Sequence, residues 1–449
     1  MLVSLLLASI AFLAYSNSFP GAFHFDDYPL LLDNPAVTGK SFPYLTFLQH
    51  YGGRPLTLWS FYWNYRLFGS DPLSYHLISV ALHAIAVVCL FLLVSRLFSS
   101  RFLACGTALI FALHPLQTQP VNYVWSRSML IMSCFGLLSL LLVRKHPVAA
   151  LICWQLAIWS RSEAIVLAVF LLWIRPERWK SAAGLALLNA GAFLYGLAAY
   201  RPPDFAWNYP DAGGYFLQQG QSFWRYASLV IWPGKLTVDH HFTFLPSWVA
   251  LAGIVSLLSV SCFIYRFRNY VPVPVAGWFW FIVLLLPSLM IPNKDFINES
   301  RIYLALPGLA LIAVWFFERV GSARKLISVR TLGLCLIGAA MLGFTWQRNK
   351  VWTDDVSLWR DAVSKGASKW RTHYNLGAAL ARQGSAAEAE REFHIARLLN
   401  GGDDFSLAGL GYCAELRSDW TASRRFYVDA LKLNPSNHYA RKRLDLLNH

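Results

Sequence analysis

Apolar residues run along this chain in long blocks rather than in alternation, and the block length points to its surroundings. Stretches near residues 2–16, 74–95, 102–113, 129–143, 147–160, 162–174, 181–200, 247–265, 272–291, 302–317 and 331–347 are almost free of charge. A helix needs about 20 such residues to cross the hydrocarbon of a bilayer, or fewer where the bilayer thins to meet it. The pattern therefore predicts about eleven membrane-spanning helices, the blocks at 102, 147 and 162 being the shortest. Beyond residue 348 the blocks give way to amphipathic helical spacing. The expected fold is all-α: an integral membrane helical bundle over 1–348, followed by a soluble helical domain over 349–449.

That second domain repeats with a period of 34 residues, the tetratricopeptide period. Leu376 and Gly377 recur as Leu410 and Gly411, Phe393 as Tyr427, and Ala396 as Ala430. Trp359 and Ala362 supply the second helix of a preceding half-repeat; Pro435 ends one repeat, where the earlier one has Gly401. Small residues let paired helices approach, and aromatic rings fill the space between them. An array of this kind serves either as a concave peptide-binding surface or as a stabilising cap and spacer.

Composition agrees with the blocks, since 56% of the residues are hydrophobic and only 14% charged, well below the quarter usual in soluble proteins. A net charge of +15 would suit nucleic acid only if gathered on a water-facing surface. Many of the basic residues instead occupy short connections: Arg96 and Arg101; Arg144 and Lys145; Arg175, Arg178 and Lys180; Arg266 and Arg268; Arg319, Arg324, Lys325 and Arg330. Placing all of these in the cytoplasm satisfies the positive-inside rule and puts the N-terminus inside and the repeats outside. The stretch 222–233 would break the alternation if it spanned, and is read as an interfacial or re-entrant helix. The first block lacks the basic flank of a signal peptide and is read as a retained span. The seven cysteines show neither disulfide nor metal spacing.

On the outer side lie two long loops, near 17–73 and 201–246, and shorter ones near 114–128 and 292–301. In the first, Pro43–His50 and Arg54–Phe68 are aromatic-rich and amphipathic, as surface-lying segments are. Polar and ionisable residues converge on this side: Asp26 and Asp27; His114, Gln119 and Arg127; Arg161 and Glu163 at the hairpin tip WSRSEA; and Lys294, Glu299, Arg301 and Tyr303. Singly, each has an ordinary structural explanation as a cap, an ion pair or a turn. Together they place carboxylates and guanidinium groups at one membrane face. That arrangement suits sugar transfer from a polyprenyl-phosphate carrier, in which a cation stabilises the departing phosphate and a carboxylate takes the acceptor's proton.

The wording and order of FHFDDYPLLLDNP, GRPLTLWSFYWNYRLFGSDPLSYHLISVALHA, FALHPLQTQPVNYVWSRSMLI, SRSEAIVLAV, ESRIYLALPGLALI and VWTDDVSLWRDAVSKGASKWRTHYNLGAAL resemble the transmembrane-and-tetratricopeptide protein O-mannosyltransferases. More distantly the chain resembles the C-type glycosyltransferases. The resemblance implies an inverting transferase that uses a lipid-linked sugar, dolichyl- or undecaprenyl-phosphate in type, and glycosylates Ser or Thr. It implies Asp26 as base and Asp27 as acidic companion, with Arg127 and Arg301 as lipid-phosphate ligands and Arg161 and Lys294 as the next candidates. His114, Gln119, Glu163, Glu299 and Tyr303 would contact substrate. Gln119 departs from the Glu usual in animal members, and the tail is shorter than theirs. Two adjacent carboxylates could hold a hard cation, but no metal or other cofactor is expected. The rival readings are a transporter or flippase, which tends to carry inverted repeats that are not visible here, and a non-catalytic scaffold.

Overall fold

The computed structural model describes residues 1–39, 54–174, 184, 212–290, 295–320, 327–366 and 368–448. Lys294, the block at 181–200 apart from residue 184, the stretch Pro43–His50 and the loop cations Arg175, Arg178, Lys180, Arg324 and Lys325 lie outside the described residues. Among the described residues the secondary structure is helical, without strands. The chain divides into two compact units, one of residues 1–236 and 243–350, the other of 237–242 and 351–449.

In the first unit the principal helices are α1 (Leu2–Ala14), α2 (Pro55–Phe68), α3 (Pro72–Phe98), α4 (Arg101–Leu113), α5 (Arg127–Leu142), α6 (Pro147–Ser160) and α7 (Leu167–Ile174). There follow α8 (Ala212–Ile231), α9 (Ser247–Arg266), α10 (Pro272–Met290), α11 (Leu306–Val320) and α12 (Ile327–Val351). Among the described residues, five stretches are long and apolar enough to cross a membrane: Pro72–Phe98, Val124–Leu142, Ser247–Arg266, Pro272–Met290 and Val329–Val351. The blocks at 102, 147 and 162 do form helices, but α4, α6 and α7 have only 13, 14 and 8 residues. Within the segment 222–233, residues 222–231 form the C-terminal half of the 20-residue α8, pinned to α9 by Trp224, whose Nε1 donates to the Gly253 carbonyl at 3.0 Å and to Ser256 Oγ at 2.9 Å.

The long α3 is the spine, with α1, α4 and α5 packed along it and α6 against α5. Asp71 starts α3 by accepting from Leu73 N at 3.1 Å, the usual cap of an otherwise unpaired amide. Where helices meet most closely, glycine is what allows it. A Cβ on Gly308 of α11 would stand 2.3 Å from the Gly277 carbonyl of α10, and one on Gly220 of α8 would stand 2.7 Å from Ile254 N of α9. Small residues at such crossings are how helices associate where lipid, not water, is the solvent.

The second unit contains α13 (Asp355–Lys365), the hairpin α14 (Trp370–Arg382) and α15 (Ala386–Leu399), the hairpin α16 (Asp404–Leu416) and α17 (Trp420–Leu433), and α18 (His438–Asn448). The sequence period becomes a repeated contact here: Gly377 lies under the Phe393 ring and Gly411 under the Tyr427 ring, where added Cβ atoms would approach to 3.0 and 2.7 Å. Trp359 and Ala362 are buried in α13 as the half-repeat predicts. Where the second repeat turns at Pro435, the first uses Gly401 and Gly402 at φ of 69° and 98°, backbone angles that glycine adopts without a Cβ penalty. The segment 237–242 is part of this unit: both Asp239 oxygens accept from Arg371, at 2.9 Å from Nε and 2.5 Å from Nη2, and Asp239 also pairs with Lys369. Burial alone would raise the Asp239 pKa, but these two cations lower it on balance.

Candidate active site

The segment after α1 turns sharply at Phe25, whose φ of 45° lies in the left-handed region that a bulky residue seldom enters. The turn sends two adjacent carboxylates in different directions: Asp27 is fully buried, whereas Asp26 is exposed. Asp27 Oδ2 accepts from His24 N at 2.9 Å, and Oδ1 accepts from Trp125 N at 2.7 Å. It thus fastens the 21–34 segment to the loop before α5. Burial pushes the Asp27 pKa up to about 7, against the lowering effect of His24 and of the two amide donors.

Asp26 has one identified side-chain partner. Tyr123 Oη donates to its Oδ2 at 3.0 Å, and the Tyr123 ring meets Phe25 edge-on at 5.6 Å. Its Oδ1 has no identified partner among the described residues. Nearby, Trp125 stacks on Phe61 with centroids 5.8 Å apart, and the Arg54 guanidinium lies over the Trp125 ring at 6.0 Å. Arg161 and Glu163, at the tip between α6 and α7, form an ion pair. Arg161, Glu163, Asp26 and Tyr123 each lie within electrostatic range of Arg54.

The other residues anticipated from the sequence take more internal places. Arg127 is fully buried, its Nη2 donating to Asn64 Oδ1 at 2.8 Å and to the Tyr75 carbonyl at 3.1 Å, while its guanidinium lies 4.5 Å from the Phe61 ring centre. It senses the charge of Asp27. In this setting the side chain is a buried cation whose Nε and Nη1 have no hydrogen-bond partner among the described residues. His114 is also buried. It receives Leu116 N on Nδ1 at 3.2 Å and meets the Val230 carbonyl with Nε2 at 2.9 Å, so the proton belongs on Nε2. These contacts tie the end of α4 to α8. Gln119 is buried with its Oε1 lacking a partner among the described residues.

Glu299 is buried at the start of the 3-10 turn Glu299–Ile302, capped by Asn298. That turn packs against Pro115–Gln117 and Thr118–Asn122. Arg301 is half-buried and donates to the Asp295 carbonyl at 2.8 Å, close to Tyr226. Tyr303 faces inward, its hydroxyl 2.7 Å from His83 Nδ1 and its ring 5.0 Å from Phe111, so its surroundings are those of a core residue. The loops at 21–34, 114–127 and 295–303 are thereby joined through Asp27 and through the 3-10 turn. Arg54, Tyr123 and His83 belong to these clusters although sequence reasoning did not select them. Tyr123 alone carried a signal, lying inside the polar stretch that begins at His114. Among the described residues no group of three or more His, Cys, Asp or Glu is placed to hold a metal ion.

No protein-family model and no solved structure matches the chain. Among curated proteins it is similar to a protein O-mannosyl-transferase of Caenorhabditis elegans, 24% identical over 426 residues, which cover 87% of this chain and 61% of the relative. A shorter region is 36% identical over 149 residues to the protein O-mannosyl-transferase TMTC3 of Mus musculus, covering 30% of this chain and 16% of the relative. With Tmtc1 of Drosophila melanogaster, also named a protein O-mannosyl-transferase, it is 32% identical over 151 residues, covering 31% and 18%. The matches thus span about three fifths of the worm relative and less than a fifth of the mouse and fly relatives. The resemblance read from the sequence motifs and these comparisons name the same family.

Proposed function

We propose that this chain is an integral-membrane protein O-mannosyltransferase that takes its sugar from a polyprenyl-phosphate carrier and inverts the anomeric centre. The observation that carries this reading is the exposed Asp26, held through one oxygen by Tyr123 and within electrostatic range of Arg54, which also senses Arg161 and Glu163. The similarity over 87% of the chain to a protein O-mannosyl-transferase supports the same chemistry. In the reaction, a Ser or Thr hydroxyl of the acceptor attacks the sugar's C1 while its proton passes to Asp26 Oδ1. The bond between C1 and the phosphate oxygen breaks, and the electron pair leaves with the lipid phosphate, where guanidinium charge stabilises it. Asp27 acts indirectly by fixing the turn from which Asp26 projects. No metal is required in this scheme.

In this reading the site opens on the non-cytoplasmic side, where the repeat unit also lies and presents the acceptor polypeptide. The test is transfer of lipid-linked mannose to a Ser/Thr peptide by the purified chain and by Asp26→Asn, with donor binding measured alongside. Loss of transfer with binding retained supports the base. Continued lipid movement across the bilayer without transfer would favour a flippase, and neither activity would favour a scaffold.

A further inference from the structure

Arg54 is the functional group that the mechanism has not yet used. It ends the stretch before α2, immediately ahead of Pro55, which occupies the first helical position. The first turn of α2 packs against the end of α6, where Thr57 Oγ1 donates to the Ser160 carbonyl at 3.4 Å. Arg161 is the next residue, in extended backbone with φ −154° and ψ 128°. Two guanidinium groups from distant parts of the chain are therefore brought to one place, but among the described residues only Arg161 of the two has an ion-pair partner, Glu163. Arg54 is half-buried and has no carboxylate within ion-pair distance among the described residues; its one identified contact is the face of Trp125.

Burial and then the like charge of Arg161 draw the Arg54 pKa down to about 10, with Glu163 and Asp26 only partly compensating. It therefore stays protonated at neutral pH while standing in surroundings that disfavour its charge. A group in that state gains from an anion that approaches from the open side, because part of the desolvation cost is already met in the free protein. Asp26 marks that open side.

We infer that Arg54, with Arg161 beside it, forms an anion subsite that binds the phosphate of the lipid carrier opposite Asp26. The identification of the phosphate as the donor's rests on the transferase reading; the subsite itself does not. The Arg54 guanidinium, 6.0 Å from the centre of the Trp125 ring, can present its planar fork of N–H donors to phosphate oxygens. As the bond from C1 to phosphate breaks, the phosphodiester monoanion becomes a phosphomonoester dianion, so an Arg54 contact strengthens along the reaction. Arg161 is partly neutralised by Glu163 and contributes less.

The experiment measures binding of a polyprenyl phosphate, the matching polyprenol and inorganic phosphate to the full chain in nanodiscs, for wild type, Arg54→Gln and Arg54→Lys. Arg54→Gln is expected to weaken polyprenyl phosphate about ten- to a hundredfold and to leave the polyprenol unchanged. Arg54→Lys keeps the charge but loses the planar fork, so part of the affinity is expected to remain, which also separates loss of charge from misfolding. Displacement of the lipid by millimolar inorganic phosphate would show that the anionic head alone is recognised; no displacement, with the polyprenyl phosphate still sensitive to Arg54, would show that the site reads phosphate on a lipid. Equal polyprenyl-phosphate affinity in wild type and Arg54→Gln overturns the subsite, whether or not the chain transfers sugar. If wild type binds the lipid through Arg54 yet transfers nothing, the subsite stands and the transferase reading falls.

Discussion

The Tyr123 hydroxyl donates to Asp26 Oδ2 at 3.0 Å, leaving the other carboxylate oxygen open on an exposed residue. A base held through one oxygen presents the other in a fixed direction, which is where proximity and orientation assist proton transfer. Tyr123→Phe removes the donor and keeps the ring on Phe25. It is expected to lower kcat by about tenfold, the worth of one hydrogen bond to a charged group, with little change in donor KM. Steady-state transfer kinetics check this.

Asp27 has a different role from its neighbour, and substitution should show it. Both its oxygens accept backbone amides, so Asp27→Asn turns an NH₂ group towards a donor and is expected to cost about 1–3 kcal/mol. The pH dependence has a definite sign. The folded pKa, about 7, lies above the ordinary value of 3.8, so between those values the folded chain holds a proton that the unfolded chain has released. Stability from this group is present below about pH 4 and is lost as pH rises towards 7. Thermal unfolding across that window should be flatter in Asp27→Asn than in wild type.

The buried Asp239 is held by two cations of the repeat unit. Its folded pKa lies below the ordinary value, so its contribution is present above that value and declines as pH falls through the folded pKa. Asp239→Asn is expected to loosen segment 237–242 at a cost of about 1–3 kcal/mol, below the full cost of a deeply buried pair because Arg371 and Lys369 reach solvent. Hydrogen exchange in that segment should rise while the cores of α14 and α15 stay protected.

Helix crossing offers a test remote from the chemistry. A side chain on Gly308 would run into the Gly277 carbonyl at 2.3 Å, so Gly308→Leu must push α10 and α11 apart. Overpacking of this kind costs about 1–3 kcal/mol. Gly343→Leu, where an added Cβ meets nothing within 4 Å, serves as the control and should leave thermal stability nearly unchanged.

Much of the fold was legible because it rests on short-range periodicity. The blocks at 74–95, 247–265 and 272–291 became Pro72–Phe98, Ser247–Arg266 and Pro272–Met290, and a 34-residue spacing became the Gly377–Phe393 and Gly411–Tyr427 contacts. The polar site was legible as composition, not as arrangement. Asp26 and Asp27 look equivalent in the sequence, and only the left-handed turn at Phe25 separates an exposed carboxylate from a buried one. Arg54 and Tyr123 escaped notice because the contacts that matter to them span 71 residues to Trp125 and 97 residues to Asp26. Arg127 drew attention as a charge in an apolar chain, yet Asn64, Phe61 and Tyr75 enclose it.

The central claim is that Asp26 removes a proton from an acceptor hydroxyl during sugar transfer. Its most direct test is the single-turnover rate of mannose transfer from a polyprenyl-phosphate donor to a Ser/Thr peptide, compared between wild type and Asp26→Asn at saturating donor. Asparagine preserves the side chain's shape and its ability to accept from Tyr123 Oη, but it cannot take the proton. The account predicts a fall of at least about a hundredfold, within the range supplied by general-base catalysis, with donor affinity unchanged. Transfer by Asp26→Asn at the wild-type rate would contradict it.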